Sequence, residues 1–203
     1  VTYHSDIYRQ KAFLFFYKIW IHKFLRRSVA IIATSPNYIE SSPILAQYRE
    51  KCRGIPLPVD TQVFSKPSPE AVAEVEEELG PFVLFAGRLV YYKGLQHLID
   101  AIAMLSGIRL LIVGRGELED TYRTRVAKLG LDGKVRFLGK VDDARLRLLY
   151  ASCRCFVLPS TVRAEAFGFV LGEAMACGAP VISTELGTGT SYINQDGKTG
   201  FVV

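Results

Sequence analysis

A regular alternation of short apolar runs and helical patterns between residues 81 and 183 constrains the fold more than any other feature. Five runs rich in apolar residues have the length of buried strands, at 82–86, 110–113, 135–138, 155–158 and 181–183. Helical spacing of apolar residues lies between them, at 95–105, 117–129, 142–151 and 169–177. Such alternation is typical of βαβ units. The sequence therefore predicts an α/β fold with a parallel sheet and helices on both faces.

Ligand-binding residues are expected in the loops that follow these strands, because open parallel sheets bind ligands beyond the carboxyl ends of their strands. The loops begin at Gly87, Gly114, Gly139, Pro159 and Thr184. We therefore searched these five loops for chemically useful groups.

The first loop places two cations, Arg88 and Lys93, between a strand and a helix. Cationic side chains beside the N–H groups of a helix start suit a diphosphate. Two solvated charges in an ordinary loop are the alternative explanation. The second loop, Gly-Arg-Gly-Glu at 114–117, matches only a fragment of a dinucleotide fingerprint. It is better explained as a tight turn in which Glu117 caps the next helix.

Two carboxylates, Glu165 and Glu173, flank the start of the helix at 169–177. Glu165 lies in the loop before this helix, and Glu173 lies in its second turn. The two groups could hold opposite ends of an extended ligand, since a carboxylate accepts hydrogen bonds from the paired hydroxyls of ribose or a sugar. The alternative is one glutamate at a helix start and another on a solvated face.

Taken together, these loops resemble the signature of glycosyltransferase family 4, whose members are retaining enzymes with the GT-B fold. Glu-x7-Glu and the following Ala-Met-Ala-Cys-Gly-Ala-Pro-Val-Ile occupy 165–182, and Gly-Arg-x4-Lys-Gly at 87–94 is similar to the family's phosphate-binding loop. Pro-Leu-Pro-Val-Asp at 56–60, with Phe64, resembles its interdomain segment. His-Ser-Asp at 4–6 resembles the His-x-Asp of its N-terminal domain. The four motifs follow the family's order along nearly the whole chain.

The resemblance implies a role for each matching residue. Arg88 and Lys93 would neutralise the donor diphosphate, and Glu173 would hold the ribose hydroxyls. Glu165 and the N–H groups at 167 and 168 would hold the transferred sugar. His4 would contact that sugar from the opposite domain. The catalytic set would be Glu165, Arg88, Lys93 and His4. The donor-binding set, in which 139–141 border the base, would be Gly87, Arg88, Lys93, Gly139, Lys140, Val141, Glu165, Phe167, Gly168, Phe169 and Glu173.

The resemblance also implies two Rossmann-like domains facing each other across a cleft. Residues 1–55 would form the C-terminal part of the N-terminal, acceptor-side domain, with a helix at 8–27 and a strand at 29–34. Residues 56–80, whose first part is rich in proline, would be the interdomain linker and a lead-in helix. Residues 81–203 would form the nucleotide-sugar donor domain, truncated at its C-terminus. Because both ends are strand-like, we expect a fragment cut inside a domain at each end and inactive alone.

The implied activity is the transfer of a hexose from a nucleoside diphosphate sugar, GDP- or UDP-linked, to a hydroxyl of a glycan, lipid-linked or small-molecule acceptor. Such transfer would serve bacterial cell-surface glycan or glycolipid synthesis. Another GT-B enzyme, such as a sugar-nucleotide epimerase, and a non-catalytic nucleotide-sugar-binding module are the alternatives. Ala166, Leu57, Pro58 and the acid-free loop 187–191 depart from the family's usual residues and leave the subfamily open. No paired aspartates indicate a metal site, so neither metal nor cofactor is expected.

The formal charge of +5 is unevenly distributed, because six Lys and Arg residues and no acid lie between residues 7 and 39. Residues 8–27 interleave these cations with aromatics, as in helices that lie on anionic membranes. Core packing of Phe13, Phe16, Tyr17 and Trp20 is the alternative. No apolar run is long enough to span a bilayer, and the four cysteines lack metal or disulfide spacing. We expect a cytoplasmic protein without a nucleic-acid partner, and peripheral contact at the inner face of the membrane stands beside core packing as an explanation of residues 8–27.

Overall fold

The computed structural model describes residues 1–4, 6 and 11–203; between 11 and 18 only the side chain of residue 17 is described. Two parallel sheets organise this part of the chain. The first sheet has the order β1-β2-β3 and the second has the order β6-β5-β4-β7-β8-β9. Helices flank both sheets, which confirms the predicted α/β class with parallel strands.

The three-stranded sheet occupies the first quarter of the chain. Its elements are β1 (Thr2–Tyr3), α1 (Lys11–Arg27), β2 (Ile31–Ala33), α2 (Pro36–Ser41), a 3₁₀ segment (Leu45–Lys51) and β3 (Cys52–Gly54). Helix α2 begins where the sequence predicts, since the Ser35 hydroxyl accepts a hydrogen bond from the Tyr38 N–H at 3.1 Å and Pro36 occupies the first turn. Residues 8–10 of the predicted helix 8–27, and Ser5 of the His-x-Asp motif, lie outside the described residues.

The six-stranded sheet is built from the alternating segments. Its elements are α3 (Pro69–Leu79), β4 (Phe82–Ala86), a 3₁₀ turn (Tyr91–Lys93), α4 (Leu95–Ala103), β5 (Arg109–Val113), α5 (Glu119–Lys128), β6 (Val135–Gly139), α6 (Asp143–Ser152), β7 (Cys155–Leu158), α7 (Phe169–Ala176), β8 (Val181–Ser183), α8 (Gly189–Ile193) and β9 (Phe201–Val202).

Strand β4 shows why these apolar runs become central strands. All five of its residues are buried. Phe82, Leu84 and Ala86 pack into the core on one face of the sheet. Val83 and Phe85 pack into a second core on the opposite face. Because successive strand residues point to opposite faces, a strand covered on both sides must be apolar at every position.

The strand order places a topological switch point beside β4. The chain runs from β4 outward through β5 and β6, then returns to pair β7 with the other edge of β4. The loops after β4 and β7 therefore leave neighbouring strands in opposite directions, which opens a crevice at their carboxyl ends. Both charged motifs of the sequence lie in these two loops.

Most of the predicted elements agree with the structure, and several of their bounds differ by one or two residues. Strands 82–86, 155–158 and 181–183 have the predicted bounds. The prediction that Glu117 caps the next helix is wrong: α5 is preceded by Leu118 at the cap position, without a side-chain cap hydrogen bond. Helix α4 ends at Ala103, two residues before the predicted end.

The two sheets are in contact through their flanking elements. Helix α2 packs against α8, and the Ser41 hydroxyl donates to the Gly187 carbonyl. Ala166, from the loop before α7, is buried in the core of the three-stranded sheet beside Tyr3 and Tyr38. No helix in the described part of the chain is long and apolar enough to cross a membrane.

Candidate functional site

Lys93 is directed into the crevice by the turn that follows β4. The 3₁₀ turn Tyr91–Lys93 ends at Gly94, whose φ of 65° is left-handed. A Cβ at Gly94 would lie 1.9 Å from the Pro159 carbonyl oxygen, so only glycine fits this contact. The Lys93 ammonium lies near the backbone of Gly87, with its Nζ 3.7 Å from the place of a Cβ there. The two ends of the predicted phosphate loop are thus close together.

Lys93 forms a buried ion pair with Glu165. Its Nζ lies 2.5 Å from Oε2 of Glu165, and each side chain is only 10% exposed. The same Oε2 accepts a hydrogen bond from the Ser160 hydroxyl at 3.0 Å, while the Glu165 carbonyl accepts one from Thr188 at 2.8 Å. A buried carboxylate is tolerated only when it is paired and hydrogen-bonded. These contacts fix the carboxylate in one place.

Arg88 differs from Lys93 because its side chain is exposed to solvent. Its Nη2 donates a hydrogen bond to the Tyr92 hydroxyl at 3.1 Å. The Lys93 Nζ lies 5.8 Å from the centre of the same tyrosine ring. Tyr92 therefore contacts both cations, with its hydroxyl on the guanidinium and its ring beside the ammonium.

The start of α7 lies beside Glu165. Gly168 precedes the helix with a φ of 80°, which turns the backbone into its first turn. The first N–H groups of an α-helix have no intrahelical acceptor and attract electron-rich oxygen atoms. The rings of Phe167 and Phe169 meet edge to face, with centroids 5.4 Å apart. Phe167 is buried, whereas Phe169 is 41% exposed.

These groups surround a cavity of about 190 Å³, to which the loop after β1 also contributes. His4 therefore lines the same cavity as the start of α7, although most of the chain separates them in sequence. The lining residues are His4, Tyr92, Lys93, Ala164, Glu165, Ala166, Phe167, Gly168, Phe169 and Val170. The cavity brings together the predicted sugar-contacting residues and one of the two predicted phosphate-binding cations.

Glu173 lies one helical turn further into α7. Its Oε2 accepts a hydrogen bond from the Tyr150 hydroxyl at 3.1 Å, and Tyr150 is completely buried. Burial raises the pKa of Glu173 above its ordinary value, and the Tyr150 hydrogen bond opposes this effect. Asp143 raises the pKa further and Lys93 lowers it. The carboxylate is thus held in a partly desolvated position with one protein partner and unused acceptor capacity.

The predicted base-side residues follow β6. The Gly139 carbonyl accepts a hydrogen bond from the Gly114 N–H at 2.7 Å. A Cβ at Gly114 would lie 1.9 Å from the Gly87 carbonyl oxygen, so the loops after β4, β5 and β6 are in direct backbone contact. The Arg115 guanidinium lies over Gly139, with Nε 3.4 Å from the place of a Cβ there.

The two residues after Gly139 have different surroundings. Lys140 is exposed, whereas the Val141 side chain packs against the core. Both precede α6, whose start is capped by Asp142 through a hydrogen bond from the Arg145 N–H at 2.7 Å. Position 141 can therefore offer a ligand its backbone more readily than its side chain.

Several residues that support the site were missed by the sequence analysis. Tyr92, Ser160 and Thr188 each hydrogen-bond a predicted site residue, and Tyr150 holds Glu173. The loop after Pro159 was a candidate, but no motif singled out Ser160 within it. The segment 187–191, after β8, stood out for lacking an acid, and its Thr188 donates a hydrogen bond to the Glu165 backbone.

A larger cleft of about 660 Å³ lies along α5 and the start of α4 and contains none of the predicted site residues. Over residues 1–4, 6 and 11–203, no three His, Cys, Asp or Glu side chains are grouped as metal ligands. The four cysteines are free.

Comparison with known proteins identifies relatives across the chain. The model of the family "Glycosyl transferases group 1" matches residues 69–203. The chain is 46% identical to D-rhamnosyltransferase WbpZ of Pseudomonas aeruginosa, over all of this chain and 53% of that protein. It is 42% identical to O-antigen chain mannosyltransferase C of Escherichia coli, over all of this chain and 54% of that protein. The chain thus spans about half the length of these relatives.

Solved structures agree with this assignment. The complex of Anabaena HepE with UDP superposes with a TM-score of 0.84 at 26% identity, over all of this chain and 57% of that chain. Sucrose-phosphate synthase of Thermosynechococcus elongatus gives a TM-score of 0.80 at 27% identity, over all of this chain and 53% of that chain. These neighbours are GT-B glycosyltransferases, and the described sheets have that architecture. With a family model covering 69–203 and two relatives above 40% identity along its whole length, the chain belongs to the group 1 glycosyltransferases.

Proposed function

We propose that the protein containing this chain is a family 4 glycosyltransferase that moves a hexose from a nucleoside diphosphate sugar to an acceptor hydroxyl with retention of anomeric configuration. One observation carries the proposal: the Lys93–Glu165 pair, the start of α7 and His4 meet around one cavity. Residues 1–55 belong in this view to the acceptor-side domain, residues 56–80 to the linker, and residues 81–203 to the donor domain.

The chemistry follows from where charge develops in the reaction. Departure of the nucleoside diphosphate places negative charge on its phosphate oxygens. Arg88 and Lys93 come from the loop beneath those oxygens, and fixed cations in a closed site stabilise such charge strongly. Glu165 accepts hydrogen bonds from sugar hydroxyls, and the N–H groups at the start of α7 bind the same sugar. His4, which lines the same cavity, contacts the sugar from the acceptor-side domain.

Glu173 and the loop after β6 serve the nucleoside. The partly desolvated Glu173 carboxylate has unused acceptor capacity and takes the two ribose hydroxyls. Gly139, Lys140 and Val141 border the base. Arg88 and Lys93 supply the positive charge that a divalent ion would otherwise bring to the diphosphate, so the reaction needs no metal and no cofactor.

The names of the relatives indicate the class of donor sugar. One relative is a D-rhamnosyltransferase and the other a mannosyltransferase. D-Rhamnose is D-mannose without its 6-hydroxyl, so both sugars share the axial 2-hydroxyl. We infer a hexose of the manno configuration on GDP or UDP as the donor. A solved neighbour holds UDP-glucose, which supports the nucleotide-sugar class.

The acceptor class follows from the same relatives. Because one relative builds the O-antigen chain, we propose a lipid-linked glycan as the acceptor, in the synthesis of a bacterial cell-surface polysaccharide. Such an acceptor would lie at the inner face of the membrane, with the enzyme in the cytoplasm.

Helix α1 has a surface that fits peripheral contact with that membrane. Its inner face is packed, since Leu25 is completely buried and Ile21 packs against the core of the three-stranded sheet. Its outer face carries Trp20, 68% exposed, and Phe24, 55% exposed. Lys23 lies over the Trp20 ring at 5.4 Å, and Arg26 and Arg27 end the helix. Exposed aromatics next to cations favour an anionic interface.

A donor screen on the full-length protein tests the proposed function. Thermal unfolding would be measured with GDP, UDP and ADP and with their mannose and glucose conjugates. One nucleotide should stabilise the protein, and its mannose conjugate should release nucleoside diphosphate with water or a membrane glycolipid extract as the acceptor. NMR of the product should show the anomeric configuration of the donor. An inverted product would contradict retention, and absence of both binding and transfer for every donor would contradict the transferase.

A further inference from the structure

A second charged pair lies just outside the cavity, between the two sheets. Asp6 follows β1, and Arg163 lies in the loop before α7. The Arg163 Nη2 is 3.8 Å from Oδ2 of Asp6, and the two side chains are only 20% and 11% exposed. The guanidinium also lies over the Tyr38 ring, 5.1 Å from its centre.

Each charge is anchored firmly by its own side of the interface. Asp6 Oδ1 accepts hydrogen bonds from Tyr3 at 2.8 Å and from Ser42 at 3.0 Å, and the Asp6 N–H donates to Tyr38 at 2.6 Å. Burial, and then the hydrogen bond to Asp6, raises the pKa of Tyr3, so its hydroxyl stays protonated as a donor.

Arg163 is held in a similar way. Its Nη1 donates to the carbonyls of Leu186 and Gly187, at 3.0 and 3.2 Å. These carbonyls belong to the loop after β8, which also contributes Thr188 to the backbone of Glu165. The anchoring of Arg163 and the placement of Glu165 thus depend on the same loop.

The atoms that face each other across the interface have unused hydrogen-bonding capacity. Asp6 Oδ2 and the Nε and Nη2 of Arg163 are buried and make no hydrogen bond with any residue that the structure describes. A direct hydrogen bond needs a separation of roughly 2.7–3.2 Å, so the two groups lie slightly too far apart. Buried charges without such bonds are costly, which favours an approach of the two sides.

The spacing along the chain ties this pair to the candidate site. Asp6 is two residues after His4, and Arg163 is two residues before Glu165. His4 and Glu165 both line the same cavity. Because each charge lies two residues from one of them, a change in the distance between the two charges would shift His4 relative to Glu165.

We propose that Arg163 is a positioning residue that sets His4 against the donor sugar through its ion pair with Asp6. The inference rests on the proposed transferase function and goes beyond it, because neither charge touches the donor. The pair tightens as the cavity closes around the sugar, and its direct hydrogen bonds fix His4 at the working distance. Binding of the nucleotide part, by Arg88, Lys93 and Glu173, does not depend on it.

The test uses the full-length protein with Arg163→Gln, Asp6→Asn and the double variant. Each single change should lower the turnover of GDP-mannose or UDP-mannose about 10- to 100-fold, because small displacements of a contacting group cost rates of that order. The dissociation constants of GDP and UDP should change less than about twofold, and the double variant should be no slower than either single variant, as residues that act as one unit are not additive.

A second set of variants separates positioning from general support of the fold. In a His4→Ala background, Arg163→Gln should cause little further loss of turnover. Ser41→Ala removes an uncharged contact to Gly187 between elements that flank the same two sheets, and it should leave turnover unchanged. If Arg163→Gln fails to fold in thermal unfolding, Asp6→Asn carries the test, since it keeps the acceptor for Tyr3 and Ser42.

The outcomes distinguish this inference from the proposed function. If the wild-type protein turns over a donor and Arg163→Gln and Asp6→Asn do so at the same rate, the positioning role is overturned and the proposed function stands. An equal loss from Arg163→Gln with and without His4 would do the same, because it would show action independent of His4. Absence of turnover in the wild-type protein with every donor would overturn both.

Discussion

The Lys93 ammonium and the Glu165 carboxylate, 2.5 Å apart and almost fully buried, form a single charged unit at the carboxyl ends of β4 and β7. One was predicted to hold phosphate and the other to hold sugar. Their pairing means that phosphate oxygens bound at Lys93 would compete with Glu165 for the lysine. It also means that removing either charge leaves the other one buried without a partner.

Arg88→Ala and Lys93→Ala should each weaken nucleoside diphosphate binding by about 1.5–3 kcal/mol, the range for charge-assisted hydrogen bonds. Only Lys93→Ala should also destabilise the unliganded protein, by roughly 3–5 kcal/mol, because it leaves the Glu165 carboxylate buried without its cation. Titration calorimetry and chemical unfolding measure the two effects.

The exposed Arg88 is the matched control for this pair of measurements, since its loss should leave the unfolding temperature unchanged. The double variant Lys93→Met, Glu165→Gln should recover much of the stability lost in Lys93→Ala. Unchanged calorimetric affinity in both single variants would remove the phosphate assignment.

The two acids should respond differently to conversion into amides. Glu173→Gln should weaken binding of GDP or UDP alone by about 1–2 kcal/mol, because an amide is a poorer acceptor for the ribose hydroxyls. Glu165→Gln should spare or strengthen nucleotide binding, since it frees Lys93, and should slow sugar transfer about 100-fold. Loss of free nucleotide binding in Glu165→Gln would show that the roles are assigned wrongly.

The environment of Glu173 also predicts a pH dependence of stability. Burial raises the pKa of this carboxyl above 4.5, so the folded state holds the proton more tightly than the unfolded state. The ionised form therefore destabilises the fold, and stability falls as the pH rises from 4.5 through the raised pKa. Glu173→Gln should be more stable than wild type near neutral pH, and the difference should disappear below pH 4.5. Thermal unfolding of both proteins without nucleotide, from below pH 4.5 to neutral pH, measures this difference in stability. A difference that does not change with pH would contradict this account.

Sugar transfer should continue in excess chelator. In the proposed reaction Arg88 and Lys93 supply the positive charge that the departing diphosphate requires, so removal of divalent ions should leave the rate within about twofold. The measurement is nucleoside diphosphate release by the full-length protein before and after EDTA treatment. Complete loss of transfer, restored by Mg²⁺ or Mn²⁺, would show that a metal is needed.

The outer face of α1 should bind anionic vesicles. Each Lys or Arg near such a surface adds about 1 kcal/mol, so Lys23→Ala with Arg27→Ala should weaken binding by about 2 kcal/mol. Trp20→Ala should weaken it further by removing an exposed ring. Co-sedimentation at low salt is the measurement, with Lys128→Ala on α5 as the control. Equal, negligible binding to anionic and neutral vesicles would leave only a packing role for this face.

The sequence predicts those parts of the fold that depend on local pattern. Strands β4, β7 and β8 were found at their observed bounds, because each is a short apolar run with a loop signal after it. The 3₁₀ segment Leu45–Lys51 and strand β3 were not predicted. The residues of the 3₁₀ segment lack helical periodicity. Two of the three residues of β3 are exposed, so this strand does not read as an apolar run.

The candidate site shows the same division. The spacing of motifs in the sequence predicted three of the site residues, which are Lys93, Glu165 and Glu173. Their partners were not predicted, since Ser160 and Thr188 reach Glu165 only after the loops following β7 and β8 are brought together. The pairing of Asp6 with Arg163 joins the two sheets, and no local pattern encodes it.

The contact of Gly94 with the Pro159 carbonyl has a consequence for protein engineering. At this contact the backbone of the loop that carries Lys93 touches the backbone of the loop that leads to Glu165. No side chain lies between the two loops to absorb a change of shape. A chimera that takes the β4–α4 loop from another glycosyltransferase must therefore take the matching β7–α7 loop as well. We therefore expect donor preference to be exchanged only when both segments are replaced together, whereas the sheet beneath them can stay the same.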